Sequence, residues 1–206
     1  MKNAAEKNKR ITEFWKWFGL HQKLIREVLD DELHPEKSFV VENLDNYVLG
    51  FGVFSWEIGL TDSKNMYFSI SPNGNPELLL TSKEIIKEAP AIDAWEFFYA
   101  KPPKKWDFKF TLYDNNMLER FVDASAWKFV LLDEPGKART FIIEAKNIEH
   151  LDDDTKDSAC DLILTNTIGE ERKIHFLNHI DFVGELEETH RINALPIELL
   201  AAKFKS

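Results

Sequence analysis

From Ile11 to Leu29 the apolar side chains return every three or four residues. Ile11, Phe14, Trp15, Phe18, Ile25 and Leu29 form the row, with Gln22 as its one polar interruption. That spacing predicts a helix. A neighbouring row, Phe14, Trp17, His21, Leu24 and Val28, widens the apolar arc, so the helix needs cover on two sides. The segment after Pro35 is the nearest cover. There Phe39, Val40, Leu44, Tyr47 and Val48 form a second stripe, and Gly50 and Gly52 end it. Together the two stretches predict an αα-hairpin over 11–50. The ring-dense run Glu13–Phe18 leaves Trp17 as either core or a partner hot spot, and a helix needing cover on two sides favours core.

The period then changes from helical to two. Phe54, Trp56, Ile58 and Leu60 alternate with Ser55, Glu57, Gly59 and Thr61, and Met66, Phe68 and Ile70 alternate with Tyr67, Ser69 and Ser71. With the turn Asp62-Ser63-Lys64-Asn65 between them, these predict a β-hairpin. Asn75 can cap the next helix, with Pro76 in its first turn and Pro90 as its stop. Further strands are expected over Trp95–Ala100, Trp106–Leu112, Lys128–Asp133 and Arg139–Ala145, the last two joined by the turn Glu134–Lys137. A helix from Asp154 carries Ala159, Cys160, Ile163, Leu164 and Thr167 inward and stops at Gly169, and a short helix closes the chain from Pro196 to Lys203.

The order of elements implies an α+β fold. The helical hairpin and further helices pack on one face of a mainly antiparallel sheet of about seven strands. At 206 residues the chain is expected to form a single domain over 1–206. Its parts are the helical hairpin (11–50), strands with one inserted helix (53–145), and a helix–strand–helix end (154–206).

The seventh strand is the stretch KIHFLNHIDF, Lys173 to Phe182. On a helix, His175 and His179 would stand one turn apart, about 5–6 Å between Cβ atoms, and could share a metal. On a strand they are about 13 Å apart. Ile174, Phe176, Ile180 and Phe182 lie on one parity, and His175, Leu177, His179 and Asp181 on the other. The alternation predicts a strand and no shared metal. By the same logic, one common sheet would carry Glu57, Tyr67, Lys109, His175, His179 and Asp181 on its uncovered face. These six are the candidate binding residues.

Composition limits what such a face can do. With 36 acidic and 26 basic side chains the formal net charge is −10, which repels phosphate backbones and favours a basic protein partner over nucleic acid. The one basic stretch with aromatic neighbours, Lys101–Lys109, is expected to be a solvated loop that blunts a sheet edge. Cys160 is the single cysteine, so no disulfide within the chain and no Cys-based zinc cluster can form. On the apolar stripe of its helix it is expected to behave as a small hydrophobe and not as a nucleophile served by His175, His179 and Asp181. The run HLDDDTKDSACD fails the EF-hand pattern, because Asp157 and Ile163 stand where glycine and glutamate are needed. Its acids suit the start of a helix. No P-loop, dinucleotide fingerprint, HExxH or Gly-x-Ser-x-Gly occurs, so no cofactor is expected. The polar N-terminus and the lack of a long apolar run predict a cytoplasmic protein with no membrane span.

Four stretches, in this order, also carry a resemblance: FWKWF, FSISPNGNPEL, APAIDAWEFFYAKPP and TNTIGEERKIHFLNHIDF. The chain resembles an uncharacterised bacterial domain family whose landmarks are helix stops, turns and aromatic packing positions. The resemblance implies no catalytic residue, and through some relatives it implies a candidate immunity role beside toxin systems. The function expected is a non-enzymatic protein-interaction module. The alternative is a hydrolase or small-ligand enzyme working around His175, His179 and Asp181.

Overall fold

A computed structural model describes residues 2–31, 33–132, 140–176 and 179–204. The backbone groups into two compact units, Met1–Lys101 and Pro102–Ser206. The fold is α+β, but the strands form three small sheets among the described residues, of three, two and four strands. The expected single sheet of about seven strands is thereby corrected. Alternation along a strand states which face is apolar, not which strands share hydrogen bonds.

In the first unit α1 (Lys2–Asp30) and α2 (Lys37–Leu49) are the expected helical pair. Then come β1 (Ser55–Leu60), β2 (Met66–Ser71), α3 (Pro76–Lys87) and β3 (Trp95–Phe98). β1 and β2 pair antiparallel, while β3 lies parallel to β2 after the crossover through α3. Asn75 caps α3 by accepting from the Glu77 N–H at 2.8 Å, with Pro76 at the first position.

The core of this unit is built from rings. Phe68 of β2 is fully buried and lies within 5.3–6.3 Å, ring centre to ring centre, of Phe14, Trp15 and Phe18. Trp17 is buried too, so it is core and not an exposed hot spot. The polar break in the helical stripe has a partner, since Gln22 accepts from Trp95 Nε1 at 3.3 Å. Trp15 Nε1 donates to the Ile85 carbonyl at 2.8 Å and ties α1 to α3.

The second unit contains β4 (Lys109–Tyr113) and β5 (Glu119–Asp123), an antiparallel pair that forms its own sheet. β6 (Lys128–Leu132) and β7 (Thr140–Glu144) pair antiparallel, as expected. The turn expected at Glu134–Lys137 lies outside the described residues. A 3-10 turn at Lys146–Ile148 leads to α4 (Asp153–Ile168), α5 (Glu170–Phe176) and β8 (His179–Val183), which runs parallel to β7. The chain closes with α6 (Glu188–Arg191), β9 (Leu195–Pro196) beside β6, and α7 (Leu200–Lys203). Phe129, Phe141, Ile143, Ile163 and Leu164 centre its core.

The stretch KIHFLNHIDF is therefore not one strand. Its first part belongs to α5. Gly169, at φ 85°, ends α4, and Glu170 and Glu171 open the next helix while Lys173 and His175 close it. That charge order suits the helix dipole. Lys173 is buried and donates to Asp161, and to Thr165 Oγ1 at 3.1 Å, which holds α5 against α4. An alternation of Ile174 with Phe176 alone spans too few residues to outweigh those contacts.

Removing the central ring is expected to be costly. Phe68→Ala should lower stability by about 3–5 kcal/mol, whereas Leu20→Ala, at a side chain 74% exposed, should stay within about 0.5 kcal/mol. Urea unfolding followed by tryptophan fluorescence measures both.

Candidate functional site

The six residues expected on one open sheet face are distributed over separate elements. Glu57 and Tyr67 lie on β1 and β2 of the first unit, and the structure does bring them together: Tyr67 Oη donates to Glu57 Oε1. Burial, and then that hydrogen bond to a carboxylate, push the Tyr67 hydroxyl well above the ordinary tyrosine range. The Tyr67 ring packs over Gly59, where an added Cβ would sit 2.8 Å from the ring. However, Tyr67, Ser69 and Ser71 are all buried, so this is not an uncovered face.

The other four candidates belong to the second unit. His175 sits on α5 with Nε2 3.8 Å from Glu171. His179 opens β8 opposite Thr140, and Asp181 follows opposite Ile142. Lys109 is on β4. The shared strand face on which the enzyme alternative around His175, His179 and Asp181 depended is not formed. Cys160 is buried, and burial, aided by the charges of Asp161 and Asp157, pushes its thiol far above the usual range. Among the described residues no three His, Cys, Asp or Glu side chains are placed to hold a metal ion, and no helix is long and apolar enough to cross a membrane.

Of the six, Lys109 leads to a surface. β4 and β5 alternate as a half-buried ribbon should. Phe110, Leu112 and Val122 turn toward the core of the unit. Lys109, Thr111 and Tyr113 of β4, with Glu119 and Phe121 of β5, face out. Phe121 is 69% exposed and Tyr113 63%, and Met117 and Leu118 at the tip are exposed as well. Four large apolar side chains on one small hairpin are a concentrated exposed patch.

One carboxylate shapes the tip. Asp114 Oδ1 accepts from the Asn116 and Leu118 N–H groups at 2.8 and 2.9 Å. Its Oδ2 accepts from Arg120 Nε at 2.8 Å and Nη2 at 2.7 Å. The turn carries Met117 at φ 59°, a left-handed conformation that such contacts must hold. Acidic groups rim the patch. Asn115 Nδ2 donates to Asp154 Oδ2 at 3.0 Å, which puts the tip beside the exposed Asp153, Asp154 and Asp157 of α4.

The strand expected over Trp106–Leu112 overlaps β4, which begins only at Lys109, but the alternation alone does not mark the turn and the second strand, β5. A signal for it exists in Asp114-Asn115-Asn116, turn-forming residues between two short alternating runs. No family model, no curated protein and no solved structure matches the chain.

The Leu118 N–H, then the Arg120 side chain and the Asn116 N–H, hold the Asp114 carboxyl below its ordinary value of 3.8. A carboxylate lowered on folding stabilises the fold above its unfolded-state pKa, and that contribution disappears as pH falls through the folded value. Wild type should therefore lose stability on acidification below pH 3.8 more steeply than Asp114→Asn, which has no such group to titrate. Denaturant midpoints across the acid range measure the difference.

Proposed function

We propose that the chain is a non-enzymatic protein-interaction module acting in the cytoplasm, and that the exposed face of the β4–β5 hairpin is where its partner docks. One observation carries this reading: Tyr113, Phe121, Met117 and Leu118 stand exposed together on a hairpin whose tip is fastened by Asp114. Exposed aromatic and methionine side chains with a polar rim are the chemistry of a protein-binding hot spot.

The rim selects the partner. Asp153, Asp154 and Asp157 beside the tip, on a chain of net charge −10, favour a basic protein that inserts an apolar side chain and surrounds it with lysine or arginine. An immunity-type inhibitor of a basic toxin is the concrete form of this reading. The single cysteine suits a reducing compartment.

The test is retention from bacterial cytosolic extract on immobilised chain at about 50 mM and about 300 mM salt, where screening separates rim charges from buried contacts. Wild type should retain a basic protein, more strongly at low salt, and Phe121→Ser should lose it. If nothing is retained, or Phe121→Ser retains the same protein equally, the hairpin face is not the docking site.

A further inference from the structure

The hairpin has an edge as well as a face, and the hydrogen-bond register states which of its backbone groups point outward. Residue pairs of β4 and β5 alternate between bonded and non-bonded positions in an antiparallel ladder. The Asp114 N–H donates to Leu118 O at 2.9 Å and the Ala124 N–H to Phe108 O at 2.8 Å, one bond at each end. Even-numbered residues of β4 therefore bond inward to β5. Lys109, Thr111 and Tyr113 turn their N–H and C=O groups away from it. The sheet has only these two strands among the described residues, and none of those residues continues the ladder beyond β4.

The two edges of the ribbon are not equivalent. On the β5 side the outward Asp123 carbonyl already accepts from Asn147 Nδ2 at 2.8 Å. On the β4 side the Lys109 N–H is taken locally by Asp107 Oδ1 at 3.2 Å, while the N–H groups of Thr111 and Tyr113 have no such partner among the described residues. An unpaired strand edge next to exposed apolar side chains is a template for another strand.

We infer that β4 pairs antiparallel with β4 of a second copy of this chain about a two-fold axis at Thr111, joining two hairpins into one four-stranded sheet. Self-complementarity selects this occupant. In that register Lys109 of each copy stands opposite Tyr113 of the other, a cation beside an aromatic ring, and Thr111 stands opposite Thr111. On the inner face Phe110 meets Leu112 of the second copy. The equivalent pairing through β5 sets Glu119 opposite Asp123, two like charges, on an edge that Asn147 already occupies. A two-fold contact of this kind is closed and produces a dimer, not a fibre. It would also set two copies of the exposed face on one continuous sheet. The inference stands whether or not the docking partner proposed above is found, because it needs no molecule but the chain itself.

Sedimentation equilibrium of the whole chain from about 10 µM to about 1 mM tests it, a range suited to an interface of short strands. The wild type should pass from monomer to dimer. Tyr113→Lys places two lysines opposite each other twice per dimer and should weaken association by roughly tenfold. Tyr113→Glu places carboxylate opposite Lys109 and should dimerise as well as the wild type or better. Both changes are at an exposed side chain, and circular dichroism checks that each variant folds. Independently of any variant, amide exchange at Thr111 and Tyr113 in the wild type should slow as concentration rises. A chain that stays monomeric throughout, or a dimer that responds alike to both substitutions, overturns the pairing.

Discussion

Phe68 has no contact with solvent, and the first unit is organised around keeping it that way. A phenylalanine on a three-stranded sheet cannot be covered by its own strand neighbours alone. The cover comes from α1, whose Phe14, Trp15 and Phe18 rings meet it, and α1 is held in turn by α3 through the Trp15 indole. Large rings contribute most of the burial energy available to such a unit, and their edge-to-face contacts add to it. α1 therefore carries the large rings that so small a sheet cannot supply for itself. The second unit follows the same rule with Phe129 and Phe141 stacked at 5.3 Å under α4.

The β4–β5 hairpin departs from that rule. Its inner face is part of the core, yet its outer face keeps Phe121 and Tyr113 in water, unlike the rings that centre the two cores. A two-stranded ribbon is marginal without added support, and here Asp114 supplies it by closing the turn with backbone and guanidinium donors together. The turn is thus fastened by several hydrogen bonds where the ribbon is most exposed. Presenting apolar groups on a fastened turn lowers the ordering cost of binding, which links the carboxylate of one turn to the proposed interaction role.

Local features are legible in the residues themselves. The helical stripe from Ile11, the Asn75 cap, the alternation in Phe54–Ser71 and the stop at Gly169 all depend on residues a few positions apart, and each element is present in the fold. The departures share a cause. The parity of Ile174, Phe176, Ile180 and Phe182 suggests one strand over Lys173–Phe182, but its first part is in α5, where the partners of Lys173, Asp161 and Thr165, are on another helix. Tyr67 opposes the ring face of its strand and so reads as exposed, but that second face is covered at β2. Lys109 shares no face with the histidines and belongs instead to one shared with Phe121.

By itself the sequence determined the class of fold, the period of most of the longer elements and the stops of several, because dihedral preference and side-chain spacing act within a few residues of chain. Only the tertiary structure decided that the strands divide into three sheets, that His175 coils away from β8, and which apolar residues stay in water. Those outcomes depend on hydrogen bonds and burial between segments far apart in the chain, and neither pairing nor cover is encoded in the spacing of any one segment.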